Sequence, residues 1–215
     1  MCWPFSDALR RQVADRCAAF RRIAQPQGSA GLKPAAVAIT LLPAEVGAGS
    51  AGFLLTRRAE GLRGHGGQWA LPGGRCEAAE SAPEAALREL AEEVGLTLSA
   101  ADVLGVLDDY PTRSGYLITP VVLWAAAAAA RPEQSLRPDP REVASIHRIA
   151  LSQLTRSGAV DFVSIPESDR RLIQLRLNGS VLHAPTAALL YQFGELLQGR
   201  TTRVVELEQP VFAWR

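Results

Sequence analysis

Three glutamates, Glu89, Glu92 and Glu93, stand at i, i+3 and i+4 behind the turn-forming run Pro72-Gly73-Gly74. On an α-helix that spacing puts all three carboxylates on one side within a single turn. Like charges so placed repel unless a cation sits between them. Magnesium takes carboxylate oxygens while keeping several waters, and a water bound to it gives up a proton more readily. The pattern therefore points to metal-assisted attack on a pyrophosphate, whose barrier is mostly negative charge gathering on non-bridging and leaving oxygens. Gly73, lacking a Cβ, can bring its backbone carbonyl close to such a metal. Arg88, one residue before Glu89 and four before Glu92, is placed to orient the carboxylates through charge-assisted hydrogen bonds; an ordinary surface pair is the plainer reading.

Those residues need a helix that starts and stops around them. Ser81, Ala82 and Pro83 fit a helix start, Ala85, Ala86, Leu87, Leu90, Ala91 and Val94 supply a buried side, and Gly95 fits the stop. Upstream, Ala36 to Leu42 and Gly52 to Thr56 read as two strands, and Arg57 to Gly74, rich in glycine and without sustained periodicity, reads as a loop. A first helix capped by Ser6 and Asp7 carries Leu9, Val13, Cys17 and Phe20 on one stripe. Further strands are expected at Val103 to Leu107, Tyr116 to Ala126 and Val143 to Ile149, with the start of the alanine run 125–130 assigned to a strand because Val121 to Trp124 precedes it. After Phe162, three short strands surround the hairpin turn Asn178-Gly179, and Pro185 opens a helix ending at Gly199. The residues alone tie this portion to no chemistry. It serves as a lid, a dimer face or additional core.

A chain of 215 residues with 47% hydrophobic content suits one large domain with a sizeable core. With 23 basic and 22 acidic residues the net charge is +1, so no global field argues for nucleic acid or an acidic membrane surface. Three cysteines without C-x-x-C spacing fit neither a disulfide framework nor a zinc site. The longest apolar run, Val121 to Ala130, is too short to span a bilayer, and the N-terminus shows no apolar signal core. A soluble, cytoplasmic protein is expected.

The run Gly74-x5-Glu80-x7-Arg88-Glu89-Leu90-Ala91-Glu92-Glu93-Val94-Gly95-Leu96 resembles the box of the Nudix hydrolase family at every defined position. The resemblance implies an α+β Nudix fold, a mixed β-sheet between α-helices, here with an N-terminal helix and linker over 1–33 and the domain with its C-terminal extension over 34–215. It implies hydrolysis of a nucleoside diphosphate linked to another group, with Mg2+ or Mn2+ held by Glu89, Glu92 and Glu93, Arg88 orienting them and Glu80 supporting the loop. The general base varies within the family. Glu142, just before the strand at Val143, is the candidate here, and an exposed glutamate at a strand entrance is the competing reading.

Leu54-Leu55-Thr56-Arg57-Arg58-Ala59-x3-Arg63-x3-Gly67-x3-Leu71-Pro72-Gly73-Gly74 further resembles the signature of coenzyme A pyrophosphatases, with Leu71 where that signature has phenylalanine. Arg58 and Arg63, with His65, suit phosphate oxygens, or else pair with local acids such as Glu60. The segment Asp108 to Val122 resembles the stretch after the box in the same subgroup, and its Arg113 is a candidate for the substrate cleft. The implied activity is cleavage of the diphosphate of coenzyme A or acyl-coenzyme A to 3′,5′-adenosine bisphosphate and 4′-phosphopantetheine or its acyl form. Two rivals stand beside it: a Nudix hydrolase for ADP-ribose, NADH or another nucleoside diphosphate, and a non-catalytic nucleotide-binding regulator. The expected partner is a small nucleotide, not nucleic acid or membrane, and a homodimer is left open.

Overall fold

In the computed structural model, residues 2–47, 49–61, 66–126 and 136–214 are described. The organising strand is Lys33–Pro43 (β1), which runs parallel to Tyr116–Trp124 (β7) and antiparallel to Ala51–Arg58 (β2), so the sheet is mixed. β1 and β2 share only the pairs from Leu41↔Phe53 to Pro43↔Ala51. Where β2 diverges, Gly73–Arg75 (β4) takes the edge of β1 opposite Ala35–Val37. Trp69–Ala70 (β3) and Val143–Ala150 (β8) pair with β2, while Val103–Val106 (β5) and Tyr110–Pro111 (β6) pair with β7.

Side chains of a strand alternate between faces, and here the alternation separates two cores. Ala36, Ala38 and Leu42 join Leu54, Val121 and Leu123 under the helix Ala82–Val94 (α2), which contributes Ala85, Ala86, Leu90 and Val94. Ile39, Leu41, Phe53, Leu55, Val122 and Trp124 face the opposite core. That side is covered by Asp7–Ala19 (α1) and the C-terminal helix Thr186–Leu196 (α4); a short helix, Ser152–Thr155 (α3), packs with α4. α1 starts where the Ser6 side chain accepts from the Leu9 amide at 3.3 Å, and lies so close to the sheet that a Cβ on Gly105 would sit 2.5 Å from Cys17 Cβ. All three cysteines are free.

A second sheet holds Val160–Ile165 (β9), Ser168–Leu177 (β10) and Ser180–His183 (β11) in the order β11-β10-β9. Its β10–β11 turn is Asn178-Gly179, with φ of 46° and 79°, the left-handed pair that a two-residue hairpin demands and that Asn-Gly tolerates. The C-terminal segment is pinned to the main sheet by two buried carboxylates. Asp108 accepts from the Ile23 amide at 2.7 Å, from Gln192 at 2.9 Å and from Arg203 at 2.8 Å. Glu208, only 2% exposed, accepts from Arg113 at 3.1 and 2.5 Å, from Ser168 at 2.7 Å and from the Gln209 amide at 2.9 Å.

Several expectations need correction. Arg57 to Gly74 is not simply a loop, because β2 runs on to Arg58 and both β3 and β4 lie within it; their hydrogen bonds come from distant partners on β1 and β2, which local periodicity does not register. β7 stops at Trp124 rather than Ala126: its last partner on β1 is Leu41, and Pro43 beyond has no N–H to extend the ladder. Residues 127–130 of the alanine run lie outside the described residues. α4 ends at Leu196, before Gly199. Among the described residues no helix is long and apolar enough to cross a membrane.

Burial opposes ionisation of Glu208, but Arg113, Ser168 and the Gln209 amide outweigh it and hold the carboxyl down at about 2. A carboxyl depressed on folding contributes stability above its unfolded value near 4.5, and that contribution is lost as pH falls through 2. Glu208→Gln should therefore lower the urea midpoint at pH 7 and flatten its decline below about pH 4.5 relative to wild type, measured by tryptophan fluorescence.

Candidate active site

The glutamate helix is set by a reciprocal cap. Ser81 Oγ accepts from the Glu84 amide at 3.5 Å and the Glu84 carboxylate accepts from the Ser81 amide at 2.8 Å. Gly95, at φ 71°, ends the helix in the left-handed conformation. Both ends being fixed, the phase of Glu89, Glu92 and Glu93 relative to the sheet is fixed as well. The small residues beneath the helix let it lie close to β1 and β4. A Cβ on Gly73 would fall 2.2 Å from the Ala36 carbonyl oxygen, and one on Gly74 would fall 2.2 Å from Glu89 Oε1.

Arg88 gathers this region. Its Nε and Nη2 donate to the two carboxylate oxygens of Glu80 at 2.9 and 3.0 Å, its Nη1 donates to Glu89 at 2.8 Å and Glu92 at 3.0 Å, and its Nη2 also reaches the Arg75 carbonyl at 3.0 Å. Glu80 in turn accepts from the Glu77 amide at 2.8 Å, and the Arg88 bonds followed by that amide pull its carboxyl below the ordinary value. One guanidinium thus joins the loop, β4 and two of the three glutamates.

Glu93 has another environment. It is 4% exposed, and its Oε2 accepts from the Gly73 amide at 3.3 Å. Burial, then the nearby Glu89 charge, pushes its carboxyl up to about 8, against the opposing pull of Arg58. Burial also raises Glu89, against the pull of Arg88. The charge of Glu142, an exposed residue just before β8, contributes to raising both carboxyls.

The three glutamates are not gathered at one point. Arg88, the nearest positive charge, takes Glu89 and Glu92, while Glu93 turns to the Gly73 amide, and among the described residues no three His, Cys, Asp or Glu side chains stand as a ready metal-holding group. The donors nevertheless fit a hard divalent cation: they are carboxylate oxygens, two of them on carboxyls that burial and mutual repulsion make reluctant to ionise alone. Glu92, whose side chain is 60% exposed against 14% for Glu89, is the more open of the two carboxylates that Arg88 holds. The contact Gly73 makes with the cluster is through its amide.

Beside the cluster lies a cavity of about 840 Å³. Arg58, Gly67 and Gly73 line it, as do Trp69 and Tyr116. None of the three glutamates does; the junction is made by Gly73, bonded to Glu93, and by Arg58, whose charge acts on Glu93. Arg113 is absent from the lining, since it pairs with Glu208 and stacks over Trp214 at 5.0 Å. Arg63 and His65 lie outside the described residues. Reasoning from the sequence missed the opposite wall, supplied by β11, α4 and the tail through Val181, Leu182, His183, Leu189 and Phe212. The only available signal was the apolar stripe of α4 after a strong hairpin turn.

Replacing Arg88 by lysine exchanges a planar fork making five hydrogen bonds for a single ammonium. The expected result is a stability loss of about 1–2 kcal/mol in urea unfolding with the helical circular dichroism intact.

The NUDIX domain model matches residues 32–167, well over half of the chain. The chain is similar to the uncharacterized Nudix hydrolase NudL of Photorhabdus laumondii, at 32% identity over 149 residues, covering 68% of this chain and 77% of that protein. It is also similar to the uncharacterized NudL of Escherichia coli K12, at 40% identity over 108 residues, which is 50% of this chain and about half the length, 54%, of that relative. Among solved structures it is similar to RenU, a Nudix hydrolase from M. smegmatis, with 22% identity, a TM-score of 0.47, and coverage of 82% of this chain and 88% of that one. The glutamate helix, its glycine turn and the sheet beneath them all fall inside the matched stretch, and the chain belongs to the Nudix hydrolase family.

Proposed function

We propose that this Nudix hydrolase cleaves the diphosphate of coenzyme A or an acyl-coenzyme A, giving 3′,5′-adenosine bisphosphate and 4′-phosphopantetheine or its acyl form. The observation that carries the reading is the convergence of two stretches of sequence. Arg58 and Gly67, from the segment resembling the coenzyme A signature, line the same cavity as Gly73, whose amide touches Glu93 of the box. Leu71, the position where the signature has phenylalanine, is 5% exposed and packed in the core, so the exchange is one of apolar volume.

Glu89, Glu92 and Glu93 would hold magnesium or manganese, which when bound offsets the charge of the diphosphate and acidifies water. Arg88 keeps Glu89 and Glu92 in place and ties them to Glu80. Arg58, on the cavity side, meets phosphate oxygens as a fork. Glu142, open to solvent and near enough for its charge to act on the cluster, accepts the proton of the attacking water, and Arg63 and His65 are proposed as further phosphate contacts. Arg113 keeps a share in substrate binding through the turn that carries Thr112 and Ser114, both of which line the cavity.

Glu93→Gln is expected to abolish steady-state hydrolysis while leaving circular dichroism and urea midpoint near wild type; turnover at the wild-type rate would remove Glu93 from the chemistry. Arg88→Lys is expected to lower kcat by about 10–100-fold, because it acts through the glutamates it orients. Turnover of coenzyme A compared with dephospho-coenzyme A, ADP-ribose and NADH, with products identified by mass, tests the substrate. A preference for any of the last three rejects coenzyme A, and magnesium-stimulated binding without product points to a regulator.

A further inference from the structure

The cavity carries its charge at one end. Arg57 and Arg58, from the end of β2, are the only Asp, Glu, Lys or Arg among its described lining residues. Arg57 donates to the Gly67 carbonyl at 3.1 Å, and the charge of Arg58 acts on Glu93. The wall made by β11, the start of α4 and the tail has no such charge, but polar side chains are set into it: Ser180, His183, Thr186 and Gln209. Thr186 ties that wall to the main sheet, its Oγ1 donating to the Trp69 carbonyl at 3.5 Å. His183, three residues before it, has its hydrogen bonding unfinished.

The Nδ1 atom of His183 is buried with no hydrogen-bond partner, and Phe212 packs edge-on against the ring at 5.8 Å. Nε2 also has no partner among the described residues, but it is not buried, so it is the nitrogen that the ring presents to the cavity it lines. His147 shows the usual outcome, its Nε2 sharing a hydrogen bond with Ser145 Oγ at 2.8 Å. A buried N–H without an acceptor is rarer than a lone pair without a donor, which places the single ring proton of His183 on Nε2. A second proton would have to sit on the enclosed Nδ1, and burial accordingly lowers the basicity of the ring. At neutral pH the cavity therefore meets a fixed, uncharged N–H donor.

A diphosphate is better served by a guanidinium than by a neutral imidazole, so the two ends of the cavity suit different parts of one ligand. An uncharged donor suits an uncharged acceptor such as an amide carbonyl, and single polar groups of this kind in a pocket wall fix a ligand's orientation. The cavity, at about 840 Å³, is near the top of the range of roughly 300–1,000 Å³ found for such sites, with room for more than the diphosphate. In coenzyme A the arm on the far side of the diphosphate from the nucleotide is pantetheine, which carries amide carbonyls. Resting on the coenzyme A reading above, we propose that His183 is a substrate-binding residue whose Nε2–H donates to an amide carbonyl of the pantetheine arm, holding that arm on the C-terminal wall while the diphosphate lies at Arg58 and the glutamates.

The test is coenzyme A hydrolysis and product inhibition, measured on the full chain with magnesium for wild type, His183→Leu, His183→Phe and His183→Gln. Leucine and phenylalanine remove the donor with different shapes, and loss of one neutral hydrogen bond should raise KM for coenzyme A about three- to tenfold in whichever of them folds. Glutamine, which keeps a side-chain N–H donor, should recover most of that loss. The products separate the two halves of the substrate: inhibition by 4′-phosphopantetheine should weaken by the same factor as KM, and inhibition by 3′,5′-adenosine bisphosphate should stay at the wild-type value. A KM that does not rise in a folded leucine or phenylalanine variant, or glutamine no better than these, overturns the contact and leaves the coenzyme A reading standing. Weakened inhibition by 3′,5′-adenosine bisphosphate instead of 4′-phosphopantetheine puts His183 on the nucleotide and overturns the pantetheine contact. Hydrolysis of ADP-ribose with no turnover of coenzyme A overturns the substrate reading itself, and the ligand assigned to His183 with it.

Discussion

A single guanidinium holds the site in register. Arg88 sits where the glycine-rich loop, β4 and α2 meet, and each of its N–H groups has a carboxylate or carbonyl acceptor. Glu80 uses both oxygens on Arg88, so the residue that anchors the loop and two of the box glutamates, Glu89 and Glu92, are oriented by the same fork. The cluster would otherwise be a set of neighbouring like charges with no fixed arrangement. Arg88 is itself only partly exposed, with 25% of its side-chain surface accessible, which strengthens these pairs relative to surface ion pairs.

That fork works only because the backbone around it is close-packed. β4 occupies an edge of β1 that β2 leaves after three paired positions, and Gly73 and Gly74 let it lie against β1 on one side and Glu89 on the other. Ala36 and Ala38 from the sheet and Ala85 and Ala86 from the helix keep the layer beneath α2 thin. The burial that results desolvates Glu93 and raises its carboxyl to about 8, so packing and electrostatics at this site are one arrangement seen twice.

Much of this was legible in the sequence where the cause is local. Glu89, Glu92 and Glu93 share a face because of helical spacing, Gly95 stops the helix because of its left-handed φ, and Asn178-Gly179 turns a hairpin for the same reason. What escaped was non-local. β3 and β4 are two and three residues long and exist only because β2 and β1 supply their hydrogen bonds. The resemblance of its segment directs Arg113 to the substrate cleft, but its partner Glu208 lies 95 residues away and nothing in either neighbourhood announces the pairing. The three glutamates could be placed on one helical face, yet which of them Arg88 would claim depends on the loop that brings Glu80 beside it. The role of the C-terminal portion as a cavity wall required knowing that α4 packs back onto the main sheet.

The far wall of the cavity, from Ser180 to Ala213, lies wholly outside residues 32–167, the stretch matched by the family model. The two walls of the cavity are therefore written in separate lengths of chain, joined in space by buried carboxylates such as Asp108 and Glu208 rather than by adjacency in sequence. Within residues 32–167 only one wall of the cavity is written, so the shape of the space beside the glutamate helix is a property of the longer chain and not of the box.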